Sequence, residues 1–170
     1  MESKAQETLE GILERHRERI AGSFRRALTE ALSQYGTLHL AGEKCGVPAH
    51  IYISFMLSGA LCGLPLLRID IYDERDRDDM SECHVNWDVP DVSAKLHRNA
   101  DGVASEVGRI KDYDTDRIRL ELADVFHETL KGWLPGIISA VSDALPKGAS
   151  VYFGHFLGSA SVMEVPDGVL

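Results

Sequence analysis

HIYISFMLS, residues 50–58, places Ile51, Ile53, Phe55 and Leu57 on one parity and His50, Tyr52, Ser54, Met56 and Ser58 on the other. Successive side chains of an extended chain point to opposite faces, so this alternation predicts a half-buried strand. Two more alternations follow. Leu67, Ile69 and Ile71 oppose Arg68, Asp70 and Tyr72, and beyond an acidic loop Cys83, Val85 and Trp87 oppose Glu82, His84, Asn86 and Asp88. The three segments predict an antiparallel three-stranded meander.

Upstream, the period changes to that of a helix. Between about Glu7 and Tyr35, Leu9, Leu13, His16, Ile20, Phe24, Ala27, Ala31 and Tyr35 recur at steps of three and four, which form one face of a long helix. The spacing is closer to an eleven-residue than a seven-residue repeat, so the stripe runs almost straight. Gly36 is the expected stop, with a short extended stretch over Thr37–Leu40 and a loop over Gly42–Pro48. His16 within this stripe reads as a histidine at the edge of a packed seam.

Downstream, Asp88 before Val89-Pro90-Asp91 reads as the cap of a short helix ending near Arg98. Helical spacing returns through Ile118, Leu122, Val125, Phe126, Leu130 and Trp133. Pro135 is expected to end or kink that helix and to open another, stopped by Pro146-Lys147-Gly148. Ser150–Val165, rich in Val, Tyr and Phe and interrupted by Gly154 and Gly158, predicts one or two closing strands. The expected fold class is therefore α+β. An antiparallel sheet, formed by the meander plus C-terminal strands, packs with a long N-terminal helix and two or three further helices, all in one domain over residues 1–170.

The 170 residues carry 18 basic and 27 acidic side chains, a formal charge of −9 without a compensating basic cluster, which disfavours nucleic acid and anionic membranes as partners. The longest apolar run, Ile51–Leu67, is broken by Ser54, Ser58, Gly59, Gly63 and Pro65, too early for a membrane span, and the N-terminal segment is charged throughout. The expectation is a cytoplasmic chain. Cys45, Cys62 and Cys83 are odd in number and far apart, so reduced thiols in packing roles are expected rather than a disulfide framework or a zinc site.

Signatures for phosphate loops, dinucleotides and serine hydrolases are absent. His127-Glu128 begins like a zinc-protease helix motif, but Lys131 stands where the second histidine belongs. The acidic run Asp73–Asp79 fails the calcium-loop pattern, with Met80, Ser81 and Trp87 at positions that need an oxygen ligand, a glycine and a glutamate. It reads as a solvated hairpin loop. No cofactor and no metal site is expected.

The polar face of the meander carries the one candidate site. If the second and third strands pair about Arg77, opposite residue numbers sum to 154. Asp70 then faces His84, Arg68 faces Asn86 and Tyr72 faces Glu82, with His50, Tyr52 and Ser54 on the same side. An Asp70–His84 pair is a candidate catalytic dyad, the carboxylate orienting an imidazole base or ligand. Arg68, His50, Tyr52, Tyr72 and Asn86 are candidate ligand-binding residues, with Arg68 suited to an anion. The same residues also read as the water-facing side of an antiparallel sheet.

Two functions follow. The first is a non-enzymatic binding or accessory protein that acts through self-association or a partner, with a homodimer formed along the apolar stripe of the N-terminal helix. The alternative is a small-molecule enzyme or metal-assisted hydrolase built on the polar sheet face.

Overall fold

The computed structural model describes residues 11, 13–62, 66–78, 81–89 and 112–163. In chain order the elements are α1 (Arg17–Leu40), β1 (His50–Phe55), α2 (Leu57–Cys62), β2 (Leu67–Tyr72), β3 (His84–Trp87), α3 (Asp112–Ser139), β4 (Ser150–His155) and β5 (Ala160–Val162). One sheet contains all five strands in the order β3-β2-β1-β4-β5. The short helix expected to end near Arg98 lies outside the described residues.

The α+β class stands, and β1, β2 and β3 are successive antiparallel neighbours. The expectation of a purely antiparallel sheet fails at β4, which pairs parallel with β1, so the sheet is mixed. Hairpin-length connections force neighbours to alternate in direction. A helical crossover does not, and α3 intervenes between β3 and β4. The first alternation also ends earlier than its apolar pattern implied: Leu57 opens α2 instead of continuing β1.

One face of the sheet is covered by α1 and α3. Ile51, Ile53, Phe55, Ile69, Trp87 and Phe153 point into this layer and are at most 1% exposed. The helices supply Ile20, Phe24, Leu28, Phe126, Leu130 and Leu134, each buried completely. Trp87 anchors β3 to α1. Its ring lies 4.9 Å from Phe24, and its Nε1–H donates to Ser23 Oγ at 3.0 Å. Ser23 Oγ in turn donates to the Ile20 carbonyl, so neither polar group is left unpaired in the core.

Both expected helix breaks are overridden. α1 runs through Gly36 to Leu40, because one glycine costs only about 1 kcal/mol against alanine. The true stop is Gly42, which adopts a left-handed φ of 79°. Its N–H bonds the His39 carbonyl while the Glu43 N–H bonds the Leu38 carbonyl, a paired C-terminal cap. α3 continues through Pro135, where an interior proline costs about 3 kcal/mol. Leu130, Leu134, Ile137 and Ile138 flank it and are essentially buried, each worth about 1.5–3 kcal/mol, so packing wins over the local penalty.

Candidate functional site

The opposite face of the sheet has no helix layer of its own among the described elements, and strand register brings the predicted polar residues onto it in two rows. Tyr152, Tyr52, Asp70 and His84 lie side by side across β4, β1, β2 and β3; Gly154, Ser54, Arg68 and Asn86 form the next row. His50 pairs with Tyr72 beyond the first row. The register that puts Asp70 opposite His84 and Arg68 opposite Asn86 is therefore the one read from the sequence.

Two segments fold over part of this face. From the β2–β3 connection, Asp76 Oδ2 accepts from the Tyr52 hydroxyl at 3.0 Å, and the Arg77 guanidinium sits 4.6 Å above the Tyr52 ring. From the β4–β5 turn, the Phe156 ring lies 4.6 Å from the Arg68 guanidinium. Arg77 Nη1 donates to the Gly158 carbonyl at 3.2 Å and so ties the two covers together. Beneath them Tyr52, Ser54 and Asp70 are buried, whereas His50, Tyr72 and Tyr152 stay half-buried and Asn86 is exposed.

The Asp70 carboxylate is paired with Arg68. Arg68 Nε donates to Oδ1 at 2.7 Å and Nη2 lies 2.6 Å from the same oxygen, with side-chain exposures of 14% and 5%. Burial pushes the Asp70 carboxyl above its ordinary value; the Arg68 hydrogen bond and charge oppose this, as does His84, while Glu82 adds to it. His84 instead has its Nδ1 3.7 Å from Glu82 Oε2 and shares no hydrogen bond with Asp70. Among the described residues the site thus joins Asp70 to Arg68 directly, and places His84 alongside without the orienting contact a general-base dyad needs.

Around this pair the rings of three tyrosines and a histidine are contiguous. Tyr52 stacks on Tyr152 at 4.5 Å and 10°, and meets Tyr72 edge-on at 5.6 Å. His50 lies 5.8 Å from Tyr152, with Nδ1 3.3 Å from its hydroxyl. Burial, reinforced by the bond to Asp76, pushes the Tyr52 hydroxyl up to about 12. Tyr72 is raised in the same direction by burial first and Asp70 second. Both phenols stay neutral hydrogen-bonding groups at physiological pH.

Sequence reasoning missed the residues that hold the cover. Asp73, read as part of a solvated loop, is fully buried and is a structural hub. It accepts the Cys45 N–H at 2.9 Å, the Arg75 N–H at 2.9 Å and the Arg75 guanidinium at 2.6 to 3.1 Å. These bonds hold its carboxyl well below the usual carboxylate range. Lys44, also buried, donates to the Ser81 carbonyl and lies over the Tyr35 and Tyr72 rings. The readable signal was Asp73 directly after a strand with Arg75 two residues on, the spacing of an aspartate that bonds its own turn. Tyr152 follows from alternation along the last strand pattern.

Among the described residues no group of three or more His, Cys, Asp or Glu side chains is placed to hold a metal ion, and no helix is long and apolar enough to cross a membrane. The chain matches no family model, no curated protein and no solved structure.

Proposed function

We propose that the chain is a binding protein for a small ligand that carries a planar ring and an anionic group, seated against the outer face of the sheet. The observation that carries this reading is the Arg68–Asp70 ion pair, with Asp70 buried and Arg68 largely covered on a face that the hydrophobic core does not use. Burying such a pair seldom stabilises a fold more than apolar side chains of similar size would, so its placement argues for recognition. Among the described residues Arg68 bonds only Asp70, through Nε and Nη2, which leaves the Nη1 donors for an anion. The half-buried rings of His50, Tyr72 and Tyr152 supply flat apolar surface beside it.

Binding is favoured over general-base catalysis because the carboxylate expected to orient His84 is engaged with Arg68 instead. The stripe of α1 gives no support for a second copy, since Ile20, Phe24, Ala31 and Tyr35 are already buried against the chain's own sheet and helices. Calorimetric titration with benzoate and phenyl phosphate tests the proposal. Both should bind, and Arg68→Met should weaken binding tenfold or more, about 1.4 kcal/mol. Equal affinity in Arg68→Met would remove the anion role, and no heat with either probe at millimolar concentration would remove the ligand class.

A further inference from the structure

α3 and β4 meet in a cluster of four rings on the helix-covered side of the sheet. His127 of α3 stacks on Phe153 at 4.7 Å and 19°, and on His155 at 4.4 Å and 16°. Phe55 meets both imidazoles edge-on, at 5.5 and 5.9 Å. His127 is 8% exposed. Its Nδ1 lies 3.1 Å from Glu128 Oε1, and a carboxylate only accepts, so Nδ1 carries the proton and Nε2 is the bare nitrogen. That Nε2 and Nδ1 of His155 are both buried without a hydrogen-bond partner.

Two orphan imidazole nitrogens invite a metal, but the stacking opposes it. The lone pairs lie in ring planes only 16° apart, and near-parallel planes do not converge on one ion at about 2.0–2.1 Å from each nitrogen. The arrangement suits neutral rings. A proton on His127 Nε2 would become a buried N–H without an acceptor, and protonating both rings would place two cations with centroids 4.4 Å apart.

We propose that His127 and His155 form a proton-operated clasp, whose stacked rings hold α3 against β4 while His127 is neutral and release it when His127 takes up a second proton. Among the described residues the groups facing the pair are few. Glu128 and Lys131 belong to α3, with Asp124 one turn earlier and exposed; β1 contributes the uncharged Phe55, and α2 (Leu57–Cys62) has no charged side chain. Burial lowers the His127 imidazole below its ordinary value; Glu128 opposes this, and His155 and Lys131 add to it. The folded state therefore takes up this proton at lower pH than the unfolded chain. The stability is present above about 6.5, the ordinary histidine value, and is lost as pH falls below it. His155 leads directly into Phe156, whose ring lies against Arg68, so release also frees the turn over the outer face. The clasp stands whatever that face binds.

Denaturant unfolding of the full chain at about pH 7.5 and about pH 5, the range in which histidine titrates, tests it in wild type, His127→Phe and His155→Phe. The unfolding equilibrium constant should rise several-fold on acidification in wild type, much less in His127→Phe, and by an intermediate factor in His155→Phe, which removes the stacked imidazole but leaves His127 buried. Proton NMR of the wild-type imidazoles gives a readout that needs no variant: His127 should titrate below the ordinary histidine value of about 6.5. Equal acid sensitivity in wild type and His127→Phe, or His127 titrating at or above about 6.5, would overturn the clasp.

Discussion

At the residue scale, Asp70 in β2 and Asp73 just beyond it have opposite electrostatics. Asp73 is a saturated acceptor. Replacing it with alanine removes the acceptor of the Cys45 and Arg75 backbone N–H groups and of the half-exposed Arg75 guanidinium, and denaturant unfolding should show a loss of roughly 1–3 kcal/mol. Its carboxyl is held below the value of the unfolded chain, so its contribution is present above about pH 4 and is lost as pH falls below that, a loss missing in the alanine variant. Asp70 has the reverse sign. Burial makes its folded carboxyl easier to protonate than the unfolded one, so the cost of ionising it grows as pH rises through the range above about 4. Asp70→Ala should cost roughly 3–5 kcal/mol because it leaves Arg68 without its partner, whereas Arg68→Met combined with Asp70→Leu should be close to neutral. A double variant as unstable as the single one would mean that the pair serves the fold, and would weaken the case that it serves a ligand. Residue pattern alone read Asp70 as the carboxylate of a candidate dyad and Asp73 as part of a solvated loop; the burial of Asp73 follows only from the fold of the 41–49 loop against it.

At the scale of elements, strand alternation was the strongest signal because one buried face fixes the register. Asp70 opposite His84 and Arg68 opposite Asn86 were both legible. Direction across the helical crossover was not, since nothing in Ser150–His155 encodes whether its neighbour runs parallel or antiparallel. Glycine and proline misled for a related reason: Gly36 and Pro135 are local penalties of about 1 and 3 kcal/mol, and tertiary burial outweighs them. Gly154 is the opposite case. A Cβ there would lie 2.1 Å from the Ser159 carbonyl and 2.6 Å from Ala160 Cα, backbone atoms that cannot yield cheaply. Gly154→Ala should detach β5 from β4, read as lost amide-exchange protection at Ala160 and Val162, while β1–β3 keep theirs. Phe24→Ala tests the α1–β3 contact. A fully buried ring against Trp87 should cost about 3–5 kcal/mol, and a loss below about 1 kcal/mol would show that α1 is not held by this seam.

At the scale of the whole molecule, the two faces of the sheet differ in kind. One face, under α1 and α3, contains the hydrophobic core; the other carries a buried ion pair, four contiguous rings and two tethered covers. The residues of that second face were legible from parity alone, but their chemistry was not. Parity placed His84 beside Asp70 without revealing that Arg68, two residues away on the same strand, would take the carboxylate. On the proposed reading this face, and not the flank of α1, receives a small anionic ring compound. Its most direct test is an amide NMR titration of the full chain with phenyl phosphate. Shift changes should concentrate at Tyr52, Arg68, Tyr72 and Tyr152 and be greatly reduced in Arg68→Met; changes confined to α1, or none at millimolar probe, would rule this binding face out.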